Sequence, residues 1–122
     1  MKILIAEDDL MMLKTMEFRL VKEGYSVIAC SDGRDAMQKI DSENPDIIIS
    51  DIMMPYFTGL DITNKVKIEL KLNIPIIILS AMGLEKTVLE AFELGADDFI
   101  TKPFSPNELI VRVKRLLSKA NR

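Results

Sequence analysis

Five residues spread along the chain carry side chains suited to oxygen chemistry: Glu7 and Asp8, Asp51, Ser80 and Lys102. Asp51 closes the run Ile47-Ile48-Ile49-Ser50-Asp51 and is followed by Ile52-Met53-Met54-Pro55. Three consecutive β-branched residues without polar alternation predict a strand buried on both faces of a parallel sheet. In an open parallel sheet, ligands gather outside the carboxyl ends of the strands, so an acid placed there meets solvent on a rigid backbone. Alone, Asp51 is either a nucleophile or metal ligand, or a strand-end Asp that solvates a turn. Composition narrows the chemistry: the 122 residues contain no His and one Cys, which excludes Ser-His and Cys-His nucleophiles, His-metal sites and a phosphohistidine carrier. Cys30 sits in an apolar strand context and is expected to be a small core residue. The chain has no G-x-G-x-x-G and no Walker loop.

The elements that must position these groups follow from the hydrophobic pattern. Lys2 to Ala6 is a short apolar strand ending in Glu7, Asp8 and Asp9, and Leu10, Leu13, Met16 and Leu20 then recur at helical spacing up to Gly24. Asp9 directly precedes the periodic residues and is expected to cap that helix. Tyr25 to Cys30 is the second strand, and Asp32-Gly33 opens a helix with Ala36, Met37 and Ile40 inward. The third strand starts at Asp46, and Leu60, Ile62, Val66 and Leu70 mark the third helix. Pro75 introduces the strand Ile76 to Leu79, closed by Ser80; Leu84 to Leu94 is a helix ended by Gly95; Phe99 to Thr101 is a strand closed by Lys102-Pro103. Ser105-Pro106-Asn107-Glu108 reads as a capping box opening a last helix, with Val113, Leu116 and Leu117 inward and Arg112, Lys114, Arg115 and Lys119 outward. Strict β-α alternation with short connections predicts an α/β fold: a five-stranded parallel sheet with right-handed crossovers and helices on both faces.

That topology gathers Glu7, Asp8, Asp51, Ser80 and Lys102 at one sheet edge. Crowded carboxylates repel, each pair roughly 4 Å apart costing about 4 kcal/mol at an effective dielectric of about 20. A cation must sit among them. Hard oxygens without imidazole or thiolate suit Mg²⁺, with Mn²⁺ as an alternative, and Lys102 adds a fixed positive charge. An edge with a divalent ion, an ammonium and a hydroxyl can neutralise a phosphoryl group on three sides, which leaves Asp51 to attack and form an acyl phosphate.

Net charge −3 and a pI near 5.0 argue against this domain gripping nucleic acid by itself. At 48% hydrophobic and 29% charged, residues 1–122 are expected to form one domain. The amino terminus turns acidic before any signal-peptide core forms, and no apolar run approaches bilayer length, so a cytoplasmic location without membrane attachment is expected.

From Lys2 to about Ser118 the chain resembles the receiver domains of two-component response regulators. The matching motifs are Ala6-Glu7-Asp8-Asp9, Asp46 to Pro55 with Asp51, Ser80-Ala81, and Gly95 to Phe104 with Lys102-Pro103. The resemblance implies a flavodoxin-like fold of strand order 2-1-3-4-5 and phosphorylation of Asp51 by a sensor histidine kinase or a phosphotransfer protein. It implies Mg²⁺ bound by Asp8, Asp51 and the Met53 carbonyl, with Glu7 acting through water, and a cis peptide before Pro103. It further implies a switch coupling Ser80 to Phe99, read out at the face of helix four, strand five and helix five. Many receivers carry Tyr where Phe99 stands, so coupling here rests on packing alone. Asp97, Asp98 and Glu108 with Arg112, Lys114 and Arg115 are either a dimer face, similar to that of N-terminal receivers of winged-helix DNA-binding regulators, or a solvated charged surface; Val88 stands where a basic residue would meet Glu108, with Lys86 nearby. Met53, Met54 and Met82 lie in loops beside the site, where they would tune water access. Two other classes remain: a phosphorylation-independent pseudo-receiver acting as an interaction module, which would lack an acid or the Lys, and a flavin module, which would need hydroxyl- and Gly-rich loops where this chain has acids.

Overall fold

A β-strand beginning at Lys2 and a helix ending at Ala120 bound the architecture, in a computed structural model that describes residues 1–81 and 85–120. Strands β1 (Lys2–Ala6), β2 (Ser26–Cys30), β3 (Ile47–Asp51), β4 (Ile76–Ala81) and β5 (Asp98–Lys102) alternate with helices α1 (Leu10–Lys22), α2 (Gly33–Glu43), α3 (Gly59–Thr63), α4 (Glu85–Glu93) and α5 (Pro106–Ala120). All four pairings are parallel, in the order β2-β1-β3-β4-β5. This is the flavodoxin-like arrangement expected.

Within the unbroken apolar strands, successive residues serve opposite layers. Ile3, Ile5, Ile47, Ile49, Ile77 and Leu79 pack beneath α1 and α5 with Leu13, Met16, Leu20, Leu109 and Val113. Leu4, Ile48, Ile76 and Ile78 pack beneath α2, α3 and α4 with Ala36, Ile40, Ile62, Val88 and Ala91. Burying each Ile contributes roughly 1.5–3 kcal/mol, so β3 is anchored from both sides up to Asp51. Strand termini are held by carboxylates: Asp46 accepts the Lys2 N–H at 2.7 Å, and Asp97 accepts the Ile76 N–H at 2.8 Å.

Local signals and structure agree at several helix ends. Asp9 accepts the N–H groups of Met11 and Met12, and Gly24 and Gly95 adopt positive φ of 99° and 110° beyond α1 and α4. Two expectations need correction. The third helix passes into a wider π-helical stretch, Asn64–Glu69, with Leu70 N–H donating to Lys65 C=O; the wider turn shifts the inward face and leaves Leu70 exposed rather than in the core. The Ser105 hydroxyl does accept the Glu108 N–H, but the Glu108 carboxylate lies 3.1 Å from Arg112, so the reciprocal half of a capping box is not what occupies it. A complete capping box stands instead at Thr58 and Asp61, opening α3. The expected start of helix four at Leu84, and Met82, lie outside the described residues. No described helix is long and apolar enough to cross a membrane.

Cys30 is buried, and burial, reinforced by the nearby Asp35 carboxylate, pushes its thiol up to about 12. Since the thiolate is the nucleophile, folded protein should leave a chromogenic disulfide reagent unreacted at mildly alkaline pH and titrate one thiol after denaturation. Rapid reaction of the folded protein would contradict this packing.

Candidate functional site

The sheet register assembles the site. Ala6 pairs with Ser50, Asp51 with Leu79, and Ala81 with Lys102, so the carboxyl ends of four neighbouring strands finish at one level. The Glu7 N–H donates to the Cys30 carbonyl at 3.0 Å, extending the ladder one residue past β1. At the other side of Asp51, Ile52 N–H donates to Leu79 C=O at 3.1 Å. Both acids therefore sit on backbone that the sheet itself fixes.

Lys102 reaches across this edge. Its Nζ lies 2.8 Å from Glu7 Oε2 and 2.9 Å from Asp51 Oδ2, donating a hydrogen bond to each. Glu7 is 0% exposed and Asp51 8%, while Asp8 is exposed. The second Glu7 oxygen accepts the Asp9 N–H at 3.1 Å. Burial raises the Glu7 carboxyl above its usual range and the Asp51 charge adds to this, against the lowering effect of the Lys102 hydrogen bond. Burial also works against the Lys102 charge, but hydrogen bonds to Glu7 and Asp51 outweigh it and hold the ammonium above its usual pKa.

One oxygen from each of Glu7, Asp8 and Asp51 lies within 4.8 Å of the other two. Three carboxylates against one ammonium leave a formal charge of about −2 at an all-oxygen donor set, which fits a hard divalent cation such as Mg²⁺. Met53 is exposed beside Asp51, and Met54 is buried in the core below. Ser80 follows Leu79, the strand partner of Asp51; its hydroxyl is buried and donates to the Ala81 carbonyl at 3.3 Å. A cis peptide joins Lys102 and Pro103. Phe99 is partly exposed, its ring edge-on to Phe92 of α4 with centroids 5.7 Å apart.

The charged residues expected to share one dimer face are split among three places. Arg112 and Arg115 both grip Asp98, at 2.7 and 3.2 Å, and Arg112 also holds Glu108 and the Phe99 carbonyl. Asp97 instead faces Lys67 at 3.0 Å, because it turns toward the start of β4, and Lys114 reaches Glu23, the residue that caps the end of α1, at 2.7 Å from the opposite flank of α5. Asp97 and Lys114 thus pair within the molecule outside the cluster of Asp98, Glu108, Arg112 and Arg115. Val88 is buried in the core side of α4, whereas Lys86 is exposed. Sequence reading missed the Arg34 guanidinium, which lies 4.0 Å from the centroid of the Tyr56 ring in the loop after β3. No local signal pairs those two residues.

Comparison with known proteins accords with this geometry. The sequence pattern of the response regulator receiver domain matches residues 3–114. The chain is 39% identical over 119 residues to the alkaline phosphatase synthesis transcriptional regulatory protein PhoP of Bacillus subtilis (strain 168), covering 98% of this chain and 49% of that protein. It is 39% identical over 121 residues to the probable transcriptional regulator ycf27 of Guillardia theta, covering 99% and 47%. The chain thus spans about half the length of these curated relatives. The receiver domain of the Francisella response regulator 1452 superposes with a TM-score of 0.89 at 35% identity, covering 97% of each chain. With that pattern spanning most of its length and the five-strand order matching, the chain belongs to the response regulator receiver domain family.

Proposed function

We propose that Asp51 accepts a phosphoryl group from the phosphohistidine of a sensor kinase or phosphotransfer protein. An Asp51 carboxylate oxygen attacks phosphorus, the N–P bond breaks, and its electron pair leaves with the imidazole. Asp8, Asp51 and the Met53 carbonyl, with Glu7 behind, would hold Mg²⁺, which supplies charge neutralisation for the transferring group. Lys102 offers its ammonium to a phosphoryl oxygen, and the Ser80 hydroxyl, now donating to its neighbour's carbonyl, exchanges that bond for another oxygen. The added charge of about −1.5 to −2 then biases Ser80, Phe99 and the face of α4, β5 and α5 toward a second state. Its relatives are transcriptional regulators about twice as long, so the same reading has this domain control a DNA-binding output.

The observation that carries this reading is the Lys102 ammonium bridging Glu7 and Asp51 at the sheet edge with Asp8 alongside. Incubation with Mg²⁺ and acetyl phosphate should add one phosphoryl group, sensitive to hydroxylamine and absent from Asp51→Asn, as read by intact mass. An unmodified wild-type mass under those conditions would leave a phosphorylation-independent interaction module.

A further inference from the structure

Tyr56 stands out because it holds a left-handed backbone, φ 71°, which a bulky non-glycine residue adopts only when its surroundings impose it. It lies in the loop between β3 and α3, the segment that carries Met53. The surroundings come from the first turn of α2. Arg34 lays its guanidinium 4.0 Å from the Tyr56 ring centroid, and Gly33 N–H donates to the Pro55 carbonyl at 3.1 Å. Pro55 C=O also accepts the Phe57 N–H at 2.9 Å. The approach is close enough that a Cβ at Gly33 would collide with the Phe57 carbonyl, so only glycine fits there. At the loop's base, Gly59 N–H donates to Ile52 C=O at 2.9 Å. The loop is thus closed at its base by its own backbone and clamped at its tip by α2.

We propose that Arg34 is a positioning residue: by stacking on Tyr56 it holds the loop backbone, and with it the Met53 carbonyl, in the arrangement that binds the divalent cation. This rests on the metal-dependent reading above. Among the described residues Arg34 pairs with no carboxylate of the site; it acts through Tyr56. The sign of the effect separates positioning from charge. Arg34 is a cation, so on electrostatic grounds alone its removal from an acidic neighbourhood would tighten Mg²⁺ binding. Loss of the stack instead frees Tyr56 to leave its strained conformation, and binding must then reorder the loop.

The test is isothermal titration of the full chain with MgCl₂, alongside thermal melts in metal-free buffer. With Tyr56 at 63% exposure the stack lies at the weak end of such interactions, so Arg34→Ala should weaken Mg²⁺ about three- to fivefold. Arg34→Lys, which keeps a cation over the ring, should stay within about twofold of wild type. In a Tyr56→Gly background, where the left-handed position is unstrained and the ring is gone, Arg34→Ala should have no further effect. The metal-free melting temperature should change little in each case. Unchanged or tighter Mg²⁺ binding by Arg34→Ala, beside normal binding by wild type, would overturn the positioning role and leave the phosphoacceptor reading intact. Failure of wild type to bind Mg²⁺ would overturn both.

Discussion

Replacing Lys102 with Met is expected to destabilise the metal-free protein by about 3 kcal/mol and to slow Asp51 phosphorylation by about 100-fold or more. The stability effect follows from burial. Glu7 and Asp51 side chains are only 1% and 11% exposed, and the Lys102 ammonium pairs with both. Removing it leaves two like charges uncompensated, which costs more than the ion pair itself contributes. The low end of the range applies because Glu7, already raised by burial, can take up a proton instead. The sign with pH is clear: folding raises the Lys102 pKa, so its contribution is fully present below the unfolded value of 10.5 and is lost as pH rises from there through the folded value. Neutral pH is therefore the proper condition for the comparison. Mg²⁺ should restore the variant more than it stabilises wild type, because a divalent ion bound to the folded state no longer shares its carboxylates with an ammonium. Urea unfolding with and without MgCl₂ measures the first effect and adduct formation from acetyl phosphate the second. Wild-type stability of the variant in metal-free buffer would show that Lys102 does not neutralise the site.

Gly59→Ala is expected to cost about 2 kcal/mol and to slow phosphorylation roughly tenfold, against what helix propensity alone says. Gly59 opens α3, and Ala at a helical glycine ordinarily gains about 0.5–1 kcal/mol. Here a Cβ would stand 2.6 Å from the Asp51 carbonyl oxygen, 3.1 Å from Ile52 Cα and 3.2 Å from the Asp51 carbonyl carbon. All three are backbone atoms, so no rotamer can make room. Either α3 retreats, losing the bond from Gly59 N–H to Ile52 C=O, or the Asp51 backbone moves with its carboxylate. Gly24→Ala provides the contrast: a Cβ there meets nothing within 4 Å and only the positive φ resists it, so stability should fall by about 1 kcal/mol with phosphorylation unaltered. Equal or higher stability of Gly59→Ala than wild type, in the same denaturant series, would refute the clash.

The fold and the site were legible to different depths. Ile47-Ile48-Ile49 announced a strand covered on both sides, and alternation of such strands with amphipathic helices left a parallel sheet as the arrangement in which every apolar face finds a partner. Placement of Glu7, Asp51, Ser80 and Lys102 at strand ends followed from where each apolar run stops, since the parallel strands end at or within one residue of those positions. That much is local and hydrophobic, and it reads along the chain.

Which charge meets which was decided only by packing. Lys102 and Glu7 are 95 residues apart, and they meet because the strands carrying Glu7, Asp51 and Lys102 end together at one edge. The same physics separated residues that looked alike in sequence: Asp98 is gripped by two arginines of α5, while adjacent Asp97, on the other side of the pleat, turns to Lys67 and the start of β4. Lys114, two residues from Arg112, lies a large rotation away on the helix and finds Glu23 at the end of α1. The π-helical stretch after α3 and the stack of Arg34 on Tyr56 left no periodic trace either. Apolar burial depends on residue type and period, both written in the order of residues; ion pairs and backbone clamps depend on distances of a few ångströms between segments, which exist only once the layers have closed.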